Sequence, residues 1–249
     1  MHKLTCLITC LIVTLFASSA IAQDELRTAE AKDTKRDTKT FNVTSLNGKA
    51  IKVRVIPDYV NRVLRMTCLK DTVSIPDFWG VPPDIEMLNK KFIRISYAVR
   101  GGSNLGLGKT LILCVNNNKL VEAMHVLKYT NWDSGDEKMD YHISLILNGS
   151  NNTNYQLTVS IHDYVYSKRN PETSYSYSDK TILSFDQSKN VFYSIKENVY
   201  NHVAVTKESK STTVKVNGNY PVIILGKETY YYINNRWYQT VEDKEMSEI

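Results

Sequence analysis

Beyond its first two dozen residues the chain has no apolar run approaching the roughly 20 residues that a membrane-spanning helix needs. Recognisable catalytic spacings are missing as well. There is no G-x-S-x-G elbow, no H-E-x-x-H helix and no C-x-x-C pair, so no motif asks for a serine hydrolase, a helical zinc protease or a structural zinc site. Glycine (10) and proline (6) are too few in 249 residues for a collagenous or low-complexity chain. Neither sign of charge dominates. The 31 basic and 26 acidic side chains are interspersed, which leaves no basic stripe for nucleic acid or for an anionic membrane.

Cysteine is scarce, and its four copies divide by position. Met1 to Ala22 has a short basic start, an apolar run through Leu15 and Phe16, and the small-residue ending Ala20-Ile21-Ala22, the pattern of a cleaved secretory signal peptide. Leu7-Ile8-Thr9-Cys10 resembles a lipobox only superficially, because most of the apolar run follows Cys10. A mature chain beginning at Gln23, secreted or periplasmic and without a membrane anchor, is therefore expected. Cys6 and Cys10 leave with the signal. Cys68 and Cys114 remain on separate apolar segments, and in an oxidising compartment a disulfide between them is the expectation, with two buried thiols as the alternative.

What is plentiful is tyrosine, sixteen copies concentrated beyond residue 129, and tyrosine favours strands. Lys119 to Tyr166 reads as three strands in a row. Tyr141, Ile143, Leu145 and Leu147 share one face of the second, and Tyr155, Leu157, Val159, Ile161 and Val165 share one face of the third. Their opposite faces carry His142, Ser144 and Asn148, and Gln156, Thr158, Ser160, His162 and Tyr164. Such alternation belongs to an antiparallel sheet with one face on a core and one in water. Asn47-Gly48 marks a hairpin before Ala50 to Ile56, and short strands recur from Thr181 to Thr240 between turn-formers such as Asn234-Asn235. The fold class expected is all-β, an antiparallel sandwich or meander over 41–241, with a weak boundary possible near 168–173. Residues 23–40 read as a flexible charged tether and 242–249 as a charged tail. Pro83 to Asn89, with proline followed by acids, reads as one short helix.

Several constellations carry chemistry on paper. Gly101 to Thr110 is glycine-rich like a phosphate loop, but Ser103 stands where the first glycine belongs and a strand follows instead of a helix, so no nucleotide is expected. Asn131, Asp133 and Asp136 crowd one turn with oxygen ligands suited to Ca²⁺, though without the EF-hand order. His142 and His162 fall on the polar face of neighbouring strands, where two imidazoles could meet over a metal. In the last hairpin a two-residue turn at Asn234-Asn235 would set Tyr232 opposite Trp237 and Tyr231 opposite Tyr238. Together with Tyr230 these rings could stack on a sugar or pack into the core.

No cofactor is implied. Acidic residues such as Asp133 and Glu172 are available for a glycosidase pair, but sequence does not set two of them across a cleft. The expected function is a non-catalytic binding or surface-interaction module for a glycan or an extracellular protein. A carbohydrate-active enzyme and a purely structural exported protein stand as the alternatives.

Overall fold

The computed structural model describes residues 23, 26–102, 104–149, 154–214, 219–242 and 245–249. They fold into three sheets, antiparallel throughout except for one pair. The first sheet is β1 (Lys39–Thr44), β2 (Ala50–Asp58), β3 (Val63–Cys68) and β4 (Asp71–Ile75), paired in chain order. The second holds eight strands in consecutive order: β5 (Asp84–Leu88), β6 (Phe92–Val99), β7 (Leu105–Asn116), β8 (Lys119–Asp133), β9 (Glu137–Asn148), β10 (Gln156–Ser167), β11 (Tyr175–Asp186) and β12 (Val191–Tyr193). The third comprises β13 (Ile195–Glu197), β14 (His202–Val205), β15 (Ser211–Val214), β16 (Tyr220–Leu225), β17 (Glu228–Ile233), β18 (Arg236–Glu242) and β19 (Glu245–Glu248), in the order β13-β16-β17-β18-β19-β14-β15. Only β14 and β19 run parallel.

The meander expected over Lys119 to Tyr166 is β8-β9-β10, and the faces fall as the alternation requires. Tyr141, Ile143, Leu157, Val159 and Ile161 are buried, while His142 and Ser144 are exposed. The pattern breaks once, at Asp163, a buried carboxylate on the core face of β10. Its Oδ2 accepts from the Tyr175 hydroxyl at 3.0 Å and pairs with Lys227 Nζ at 3.1 Å, and Lys227 sits in the turn between β16 and β17. A charge on the core face is thereby matched by a cation from another sheet.

The eight-stranded sheet is not flat. Phe92 of β6 lies 5.4 Å from Phe192 of β12 between ring centroids, yet six strand intervals at about 4.8 Å would separate these strands by roughly 28 Å in a flat sheet. The sheet has curled until its two ends meet. Tyr155 and Phe185 complete the contact, at 5.1 and 5.5 Å from Phe92. The enclosed core is lined by Ile112, Met124, Ile143, Leu157, Val159 and Leu183 and is closed by Ile223, Leu225, Tyr230, Tyr232 and Trp237 of the third sheet.

A second core lies on the outer face. Val53, Val55, Leu64, Met66 and Ile75 of the first sheet pack there on Ile93, Ile95, Leu111, Leu113 and Val115. That sheet covers β6 and β7 and the first half of β8. Among the described residues no such layer covers the outer face of β9, β10 and β11.

Three expectations are corrected. The segment read as a flexible tether is helical over 26–37, with Arg36 paired to Asp33 at 2.9 Å. It is fastened where the Tyr59 amide donates to Thr34 Oγ1 (3.1 Å) and the Tyr59 hydroxyl to Asp37 Oδ2 (2.8 Å). The expected helix at Pro83 to Asn89 is instead strand β5, because Ile85 and Met87 alternate with Asp84 and Glu86, whose carboxylates pair with Arg94 on β6. The expected Cys68–Cys114 disulfide does not form. Both thiols are free and buried, and the curled sheet divides them, Cys68 in the outer core and Cys114 in the enclosed one.

Burial pushes the Cys114 thiol up to about 12 and raises that of Cys68. Both are thus poor nucleophiles in the folded chain. Neither cysteine should be alkylated in the native protein, and both should be alkylated after unfolding without reductant. A mass gain of two protons on reduction would contradict this.

The turn after β11 makes a further measurable point. Asp186 is buried, which by itself would raise its pKa, but Lys196 of β13 at 2.7 Å and donors from Ser188 and Lys189 outweigh burial and bring it down to about 2. A folded-state pKa below the unfolded one stabilises above the unfolded value of about 3.8 and is lost as pH falls through about 2. Between pH 4 and 2 the protein should lose roughly 2 kcal/mol through this group. Asp186→Asn should remove that part of the pH dependence in chemical unfolding.

Candidate binding face

Outside β9, β10 and β11 the strand register arranges polar side chains in rows that cross the sheet. One row runs from Gly108 of β7 to Tyr129, His142, His162 and Ser178, each partnered to the next across the ladder. Below it lie Ser144, Ser160 and Lys180, then Ile146, Thr158 and Ile182. Above it lie Gly106, Asn131, Asp140, Tyr164 and Ser176. Ile146 and Ile182 stand largely in solvent and give the face an apolar margin.

Glycine is required where the rows reach β7. A Cβ on Gly108 would lie 2.1 Å from the Tyr129 ring, and one on Gly106 would meet the Asn131 carboxamide. The glycine-rich stretch that resembles a phosphate loop thus runs into strand β7, and its glycines let Tyr129 and Asn131 lie flat on the backbone.

The two imidazoles stand side by side, ring centroids 4.9 Å apart. His142 Nδ1 is 3.5 Å from Asp140 Oδ1, and His162 Nδ1 is 3.1 Å from Ser178 Oγ. Around them is a shallow depression of about 680 Å³ lined by His142, Ser144, Ser160, His162, Asp179 and Lys180. A second depression, about 520 Å³, adjoins it at Asn131, Asp140 and Tyr164. Lys138 bonds Asp133 at 2.9 Å, and this bond together with the Gly135 amide holds the Asp133 carboxyl below its usual range.

The same contacts undo the calcium expectation for Asn131, Asp133 and Asp136. Asn131 lies over Gly106, Asp133 is taken by Lys138 and the Gly135 amide, and Asp136 faces Lys168 and Arg169 at 3.6 and 3.8 Å. Three oxygen donors turned to three different cationic or backbone partners do not converge on one ion. Among the described residues no group of three or more His, Cys, Asp or Glu side chains is placed to hold a metal.

The aromatic hairpin has the register expected of it. Asn234 and Asn235 both adopt left-handed backbone angles, the requirement of a two-residue turn, and Tyr232 pairs with Trp237 and Tyr231 with Tyr238. Its rings do not form an open platform. Tyr230, Tyr232, Trp237 and Tyr238 are buried, Trp237 Nε1 donates to the Glu122 carbonyl at 2.8 Å, and the Leu127 amide donates to the Tyr230 hydroxyl at 3.2 Å. Tyr231 is half-buried with its hydroxyl on Glu197. Four of the five residues considered for stacking on a sugar thus serve packing, and β18 is fixed to β8.

One chemically suggestive group was not visible in the sequence. Tyr97 Oη lies 2.7 Å from His125 Nε2, His125 Nδ1 lies 3.1 Å from Glu122 Oε2, and Asp77 pairs with Lys109 nearby at 2.7 Å. Its members come from a loop and three strands, so no local spacing marks it. His125 and Tyr97 are wholly enclosed. Burial drives the His125 pKa down against the opposing pull of Glu122, so the imidazole is neutral. A neutral, hydrogen-bonded histidine shut off from solvent satisfies buried polar groups and offers a substrate no approach.

Compared with protein-family models, with curated proteins and with solved structures, the chain matches none of them.

Proposed function

We propose that the protein is an exported, non-catalytic binding module that holds a neutral glycan on the outer face of β9, β10 and β11. The observation that carries this reading is the half of the central sheet that no other described residues cover: its inner face is core, its neighbouring outer half is covered by the first sheet, and the rows around His142 and His162 are exposed or half-buried. A sugar offers hydroxyls at its edge and C–H groups on its ring faces. Ser144, Ser160 and Ser178 match the first, and Tyr164 with the two imidazoles matches the second. The carboxylates of Asp133, Asp140 and Asp179 line the two depressions and favour a neutral ligand over a polyanion. The signal-like Met1 to Ala22 supports export, where glycans are abundant.

A glycan array probed with the folded chain tests the reading. The wild type should retain a restricted set of neutral glycans. Ser144→Arg, which sets a long charged side chain into the depression from an exposed position, should abolish retention without lowering the unfolding midpoint. No retention by the folded wild type, or retention unaffected by Ser144→Arg, would refute the proposal.

A further inference from the structure

The geometry points to a second capacity of the same face: we infer that His142 and His162 chelate a late first-row divalent cation, Cu(II) more tightly than Zn(II). The two residues are directly opposed in the β9–β10 ladder, so their side chains leave the sheet in the same direction from adjacent strands. Their ring centroids are 4.9 Å apart, and both side chains reach solvent.

Each ring is also oriented by a second residue. Asp140 stands 3.5 Å from Nδ1 of His142, and Ser178 Oγ stands 3.1 Å from Nδ1 of His162. The Asp140 carboxylate can only accept, so it favours the His142 tautomer with its proton at Nδ1, which leaves the Nε2 lone pair for a metal; the Ser178 hydroxyl can donate or accept and orients the His162 ring without choosing its tautomer. No hydrogen bond to either Nε2 occurs among the described residues, so metal entry displaces only solvent. Imidazole ligation suits copper and zinc, and the general order of divalent affinities places Cu(II) first. Two protein nitrogens leave the remaining positions to water, the open coordination of a site that exchanges its metal.

The inference does not rest on the glycan reading, because metal uptake is measured with no glycan present. The probe is Cu(II) itself, titrated into the expected mature chain beginning at Gln23, which lacks His2 and with it an N-terminal amine–imidazole pair that would compete for copper. Electron paramagnetic resonance at one equivalent should show equatorial coordination by two imidazole nitrogens. Because the second imidazole binds an ion already held by the first, its local concentration is high. His142→Ala and His162→Ala should therefore each weaken uptake on the order of a hundredfold. Asp140→Asn, which keeps both ligands and alters only the orienting group, should weaken it about tenfold. His202→Ala removes an exposed imidazole of the third sheet and should change nothing. Uptake undiminished in His142→Ala and His162→Ala, or the lack of a two-nitrogen signal at one equivalent, would overturn the assignment.

Discussion

Trp237→Ala is expected to cost about 3–5 kcal/mol of folding stability, at the upper end of the range for emptying a large aromatic site. The indole is 1% exposed, packs 5.1 Å from the Tyr232 ring, and belongs to the core between the third sheet and the curled one. Its Nε1 also donates across 115 residues to the Glu122 carbonyl. Alanine therefore removes volume and a donor together. Trp237→Phe keeps most of the volume and should cost about 1–3 kcal/mol, the effect of leaving a buried acceptor without its partner. Urea unfolding of the two variants separates packing from hydrogen bonding. A loss below about 1 kcal/mol in Trp237→Ala would mean that the third sheet does not depend on this contact to stay docked.

Phe92→Ala should be comparably damaging, at about 3–5 kcal/mol, for a different reason. Phe92 is fully buried where the first and last parts of the eight-stranded sheet meet, with Tyr155, Phe185 and Phe192 around it in edge-on or tilted contact. Removing the ring opens a cavity at the seam that keeps the sheet curled. Hydrogen exchange should then quicken in β12 and in the end of β11 before it quickens in β9, because β9 is paired on both sides far from the seam. Uniform acceleration across the sheet would argue that the seam does not unfold separately.

Local pattern and turn chemistry were legible in the residues. The alternation of Tyr141, Ile143, Leu157 and Val159 assigns the core faces of β9 and β10, and Asn234-Asn235 sets the last hairpin in register, because a two-residue turn leaves no freedom to slip. What escaped the sequence depends on contacts distant along the chain. Phe92 and Phe192 are a hundred residues apart, and nothing local says that the strands bearing them will touch. Periodicity tells that Cys68 and Cys114 are buried but not that the sheet stands between them.

The helix over 26–37 carries little apolar surface, and its anchor is a tyrosine twenty-two residues beyond Asp37. The pair Pro82-Pro83 and the acids that follow imitate a helix start, whereas pairing with β6 makes Asp84 to Leu88 a strand. For the candidate face, the sequence placed His142 and His162 on the polar sides of neighbouring strands. The register that makes them direct partners comes from the folded meander.

Side-chain footprinting by hydroxyl radicals, on the folded chain with and without its best array glycan, tests the central claim most directly. In the free protein His142, His162 and Tyr164 should oxidise, as should Tyr200, 72% exposed in the segment between β13 and β14, and Trp79, 40% exposed in the loop between β4 and β5. On glycan addition the first three should become protected while Tyr200 and Trp79 continue to react. Protection at Tyr200 or Trp79 with none at His142, His162 and Tyr164 would contradict the account and move the binding surface off the central sheet.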